Sequence, residues 1–234
     1  EGPLLAQKHK SFVGFYPIPI RYGMTVGELA QMIIGENWID MNPDLTVIPV
    51  RNWNRSIWMD ETNLPWVKPS PNIPDLATAI VYPGMCLLEA TNLNEGRGTQ
   101  KPFKQVGSPW IQKRDLAIAL NNLNLPGVVF KPVSYTPIDI PGMAVDPKHK
   151  EQLCEGVELM ITNRNKYNSA LVGVHVINAI YQLYPKQLTI KESGMARLWG
   201  QDGFSEDLKK GKIFSHLTND DFFKNQSQKY YIYD

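Results

Sequence analysis

Proline and glycine interrupt this sequence throughout: 18 prolines and 17 glycines in 234 residues punctuate it rather than cluster. Apolar runs are therefore short and bounded by turn residues, and neither a low-complexity linker nor an internal repeat is visible. Thr25-Val26-Gly27-Glu28 has the form of a capping box. Leu29, Ala30, Ile33 and Ile34 supply the apolar face of the helix it opens, and Gly35 supplies its stop. Leu45–Val50, Ala79–Tyr82 and Met85–Leu88 are continuous apolar runs of the kind found in strands buried on both faces. A helix combined with such strands predicts an α/β fold with a parallel, Rossmann-like sheet. After Trp110 the pattern changes. Helical spacing over 112–123, strands near 127–133 and 157–161, a long helix over 169–183 and shorter helices, the last opening at Thr218-Asn-Asp-Asp221, predict a smaller α+β unit. The division is placed at 1–112 and 113–234.

Apolar residues make up 43% and charged residues 20%, enough for a real core, and the 24 basic and 23 acidic side chains are interspersed. Nothing resembles the basic stripe that a phosphate backbone demands, so nucleic acid is excluded as a partner. No apolar run is long enough to cross a bilayer. Cys86 and Cys154 lie in apolar surroundings without metal-ligand spacing and read as small buried hydrophobes. His9 and His149, each between lysines, read as surface, and His175 as a packed residue of the long helix. No metal or cofactor is expected.

Chemistry concentrates between Glu89 and Arg97. The apolar run delivers Glu89 to what is expected to be the carboxyl end of a strand, where open α/β sheets bind ligands. Glu95 follows in a polar loop, and Arg97 sits between Gly96 and Gly98. Two carboxylates can serve as the acid and base of glycosidic hydrolysis. The same residues can also be a structural cluster in which the arginine pins the loop, and on spacing alone that reading is slightly ahead. A second candidate is the segment 52–74, rich in Trp and Pro, with Trp53, Asp60, Trp66, Ser70 and Asn72 suited to the faces and hydroxyl edges of a sugar. A covered apolar patch between units explains it equally well. Arg21, just ahead of the Thr25 cap, is placed to help hold an anion at a helix start, although most such arginines are solvated.

Several strings resemble the bacterial DUF1343 family, whose characterised members are exo-β-N-acetylmuramidases of the NamZ type. They are Ser11–Ala30, Leu64–Pro74, Leu88–Thr99, Val133–Pro137, Cys154–Val157 and Ile161–Arg164, in order across nearly the whole chain. The resemblance implies release of N-acetylmuramic acid from non-reducing ends of peptidoglycan fragments, in a cleft between a Rossmann-like and an α+β domain. It places Glu89 or Glu95 in the active site, Arg97 on the lactyl carboxylate, and Asn92, Ser70, Asn72 and Trp66 around the sugar. It also implies a longer upstream segment with a Gly-Pro-Glu-His-Gly loop. The sequence starts at Glu1-Gly2-Pro3 without an initiator Met, so a removed leader, a cut from a longer protein, or a companion polypeptide is expected. A peptidoglycan substrate implies a periplasmic or secreted protein. The alternative from another class is a non-catalytic muropeptide-binding remnant.

Overall fold

The structure is a computed structural model that describes residues 1–41, 43–217 and 220–234. The chain is a mixture of helices and strands, as the α/β class requires, and its extended sheet is antiparallel. Strands β1 (Gln105–Ser108), β2 (Val128–Tyr135) and β3 (Cys154–Ile161) form one three-stranded sheet in the order β1-β3-β2. Both pairings are antiparallel, with Val106 opposite Val157 and Phe130 opposite Leu159. Helix α3 (Lys113–Asn121) packs on this sheet through Leu116, Ala117 and Leu120, which recur at helical spacing and are buried.

The expected parallel strands do not form. Ala79–Leu88 is helical: α2 spans Leu76–Met85 and runs straight into a 3-10 turn at Cys86–Ala90. A short apolar run cannot be distinguished from a buried helix by periodicity, because burial on all sides removes the polar face that would reveal the period. Asp75 caps α2, accepting from the Thr78 amide at 2.8 Å, a local signal that favours the helix. Leu45–Val50 forms no strand either. It lies on the surface, with Ile48 87% and Val50 64% exposed, although Val47 lies against Gly27.

Helix α4 (Ser169–Leu183) is central, burying Val172, Val174, Val176, Ile177 and Ile180. It crosses α2 where two glycines meet: a Cβ on Gly173 would lie 2.3 Å from the Gly84 carbonyl oxygen. Pro83 has no N–H, and at the next residue the amide of Gly84 donates to the Ser169 hydroxyl (2.8 Å), which in turn donates to the Val81 carbonyl (3.0 Å). Helices α5 (Glu192–Trp199) and α6 (Phe204–Lys209) close the far side through Met195, Trp199 and Phe204. The main apolar core contains residues from either side of the 112/113 division, among them Val81, Leu88, Leu120 and Ile177. Both cysteines are free and buried, and burial pushes their thiols up to about 12 at Cys86 and about 11 at Cys154.

Helix α1 (Val26–Gly35) starts at the expected capping box. The Glu28 amide donates to Thr25 Oγ1 (3.3 Å), and the Thr25 amide donates to Glu28 Oε2 (2.8 Å). Thr25→Ala is expected to cost about 1 kcal/mol, measured as a shift in denaturant midpoint without change in slope. The last helix, α7, spans Asp220–Ser227; Thr218 and Asn219 of the expected cap lie outside the described residues. Among the described residues no helix is long and apolar enough to cross a membrane, and no three His, Cys, Asp or Glu side chains gather as a metal site.

Candidate active site

Glu89 stands on the 3-10 turn Cys86–Ala90 rather than at a strand end, and Glu95 and Arg97 follow in the loop. Gly96 and Gly98 take φ of 81° and 78°, where a side chain would be strained and would strike the Lys101 and Ile138 carbonyls. The loop is built around Asn94, which is fully buried. Its side chain accepts from the Gly96 amide (2.8 Å) and donates to the carbonyls of Arg97 (3.1 Å) and Lys148 (2.9 Å).

The two carboxylates do come together, on one guanidinium. Arg97 Nη2 pairs with Glu89, and its Nε lies 3.6 Å from Glu95 Oε1. Glu95 is buried and also held by Lys148 Nζ at 2.9 Å; the same ammonium donates to the carbonyls of Leu88 (2.9 Å) and Glu89 (3.3 Å). Burial raises the Glu89 carboxyl above its usual range and Glu95 adds to this, while Arg97 and Lys148 pull the other way. Lys148 was not singled out by the sequence; flanked by His149 and Lys150, it reads as surface. His149 is likewise half-buried, bonding to the Asn92 carbonyl (2.7 Å) and Ser108 Oγ (3.3 Å). As it stands, the cluster is closed by its own ion pairs.

Of the other expected sugar contacts, Asn92, Asn72 and Ser70 are engaged with the backbone. Asn92 donates to the Gln187 carbonyl (2.8 Å) and accepts from the Thr189 amide (3.0 Å). Asn72 donates to the Met143 carbonyl (2.7 Å), and Ser70 Oγ accepts from the Asn72 amide (3.3 Å). The Trp66 indole N–H and Asn72 Oδ1 are buried without a hydrogen-bond partner, polar groups whose burial is costly unless a ligand or water meets them.

Arg21 lines a different place, a cavity of about 550 Å³ bounded by Glu1, Arg55, Trp58, Arg164 and Tyr231 among others. The anion that Arg21 meets is the protein's own Glu1 carboxylate, and it sits at the start of α4 rather than of α1. Glu1 Oε2 accepts from the Ser169 amide (2.9 Å) and lies 3.4 Å from the Ala170 amide, while Oε1 meets Arg21 Nη1 at 2.5 Å. Sequence order hides this, because Glu1 and Ser169 stand at opposite ends of the chain.

Two more arginines complete the wall. Arg55 pairs with the fully buried Glu28, donates to the Gly23 carbonyl (2.9 Å) and lies 3.6 Å from the Tyr231 ring centroid. Arg164 forks to Asp60 (2.7 Å) and Glu61 (2.6 Å) over the Trp58 ring, whose indole N–H donates to Asn165 (2.8 Å). The long Trp-rich loop is thus fastened to the turn after β3. A concave space of this size with a carboxylate, several donors and an aromatic face suits a sugar ring.

Comparison with known proteins agrees with the strings seen in the sequence. The family model for the C-terminal part of exo-beta-N-acetylmuramidase NamZ matches residues 80–233, and the model for its N-terminal part matches residues 1–77. The chain belongs to the NamZ family. The peptidoglycan beta-N-acetylmuramidase NamZ of Bacillus subtilis is 40% identical over 239 residues, an alignment that takes in 100% of this NamZ-family chain and 56% of that protein. Crystal structures of two DUF1343 family proteins from Bacteroides fragilis superpose on all of it. One has a TM-score of 0.90 at 28% identity, the other 0.74 at 30%, and each match covers 62% of the solved chain. The chain therefore spans little more than half the length of these relatives.

Proposed function

We infer that this NamZ-family chain is the part of a peptidoglycan glycosidase that receives a terminal N-acetylmuramic acid, and that the sugar occupies the cavity beside Arg21. The observation that carries this reading is the Glu1 carboxylate, seated on the first amides of α4 and on Arg21 within the cavity of about 550 Å³. A carboxylate oriented by three donors at the edge of a sugar-sized space can act on a glycosidic bond. Such hydrolysis uses two carboxylates. The second is proposed to come from a companion segment bearing the family's Gly-Pro-Glu-His-Gly loop. The pair Glu89 and Glu95, with Arg97 on the lactyl group, is the competing location, and it requires Arg97 to leave its present partners. No cofactor enters either scheme, and a peptidoglycan substrate supports a periplasmic or secreted location.

Hydrolysis of a chromogenic N-acetylmuramic acid β-glycoside distinguishes the schemes when measured on this chain and on a form extended by the upstream segment. Glu1→Gln is expected to lower the rate by about two to four orders of magnitude in whichever form is active. If Glu89→Gln or Glu95→Gln does so while Glu1→Gln does not, the chemistry belongs to the Arg97 cluster. Binding of the sugar without turnover in either form would identify a non-catalytic muropeptide-binding protein.

A further inference from the structure

We propose that Arg164 reads the acidic substituent of the bound sugar, and that it does so by exchanging Asp60 and Glu61 for the ligand's carboxylate. The proposal rests on the cavity beside Arg21 being the sugar site.

Three guanidinium groups line that cavity, and their present partners decide which can be given up. Arg55 serves Glu28, a carboxylate with no exposed surface, so a ligand that took Arg55 would strand a buried charge. Arg21 holds Glu1, itself anchored on α4. Arg164 differs. Its partners Asp60 and Glu61 have side chains 56% and 50% exposed, and carboxylates so placed return to water at little loss. The guanidinium is a planar fork already matched to two carboxylates, and a ligand carboxylate would find the same donors. The Trp58 ring beneath it is pinned through its indole to Asn165, and Glu61 Oε2 accepts from the Trp58 amide (2.9 Å), a bond it can keep when its Oε1 gives up Arg164, so the platform stays. The ligand class that fits is a sugar carrying an ether-linked carboxylate beside an apolar ring face, with the carboxylate on Arg164 and the ring toward Trp58.

Calorimetric titration of N-acetylmuramic acid and of N-acetylglucosamine, which differ by the lactyl ether, tests this directly. Arg164→Gln is expected to weaken binding of the acidic sugar by about tenfold or more and to leave the neutral sugar within about twofold. The double variant Asp60→Asn with Glu61→Gln removes the competing carboxylates and is expected to tighten the acidic sugar alone. Equal weakening of both sugars by Arg164→Gln, or of neither, overturns the assignment. Unchanged or weaker binding of the acidic sugar by the double variant overturns the exchange and leaves the clasp a purely structural tie. Ser56→Trp, which puts an indole into the cavity, separates the two readings: if both sugars still bind it as they bind the unaltered protein, or if the unaltered protein binds neither, the cavity is not the sugar site and the proposal falls with it.

Discussion

Gly84→Ala is expected to destabilise the fold by about 3 kcal/mol or more, the upper end of what overpacking a core costs. Helix propensity alone predicts the opposite sign, since alanine is favoured over glycine by about 1 kcal/mol inside a helix. Sterics decide. An added Cβ would lie 1.8 Å from the Ser169 carbonyl oxygen and 3.2 Å from the Gly173 amide nitrogen, and both are backbone atoms of α4 that no rotamer change can clear. The helices would have to separate, losing the bond from the Gly84 amide to the Ser169 hydroxyl and opening the core around Val81 and Ile177. For a chain of this size the melting temperature should fall by about 6–12 °C. Gly194→Ala is the matched control. It is also helical, but its Cβ would be 3.4 Å from the Ala90 side chain, an ordinary contact, and it should be neutral or raise stability by up to about 1 kcal/mol. Equal melting temperatures for the two variants would refute the close crossing of α2 and α4.

Glu28→Gln is expected to cost about 3–5 kcal/mol near neutral pH, because it leaves Arg55 without the carboxylate it was folded around. Glu28 has no exposed surface, and it accepts from Arg55, from the Thr25 amide (2.8 Å) and from the Ile232 amide (2.9 Å). Burial raises its carboxyl, but the Arg55 bond and the two backbone amides outweigh that and hold it below the ordinary 4.5. The folded value lies under the unfolded one, so the stabilisation is present above the unfolded value and disappears as pH falls through the folded value. Chemical denaturation of the unaltered protein as pH is lowered from neutral into the acid range should therefore show a loss that Glu28→Gln lacks. Parallel curves for the two proteins would remove Glu28 from the account. Glu89 works in the opposite direction. Its carboxyl is raised, so its share of stability is present at low pH and is lost as pH rises through the folded value.

Legibility differed from segment to segment. The box at Thr25 and Glu28, the long helix at Ser169–Leu183 and the strands near 128–135 and 154–161 were readable because a cap or a periodic apolar face is encoded within a few neighbouring residues. Ala79–Leu88 reads as strand because a run without charged or amide side chains and without an exposed residue carries no polar face to show the helical period. The meeting of Glu89, Glu95 and Arg97 was foreseen from their closeness in the loop, but Lys148 was not, since it arrives from a segment that reads as surface. The cavity was least visible: only Arg21 among the expected site residues lines it.

By itself the sequence determined the family, the mixed helix-and-strand class and those elements whose signals are local. The tertiary structure decided that Arg21 meets Glu1 on the start of α4, that Glu28 is neutralised by Arg55, and that Arg164 clasps the Trp58 loop. Each of these joins charges separated by many residues. Which of several carboxylates an arginine meets depends on burial and on the distance between chain segments, and neither exists until the helices and the sheet have packed.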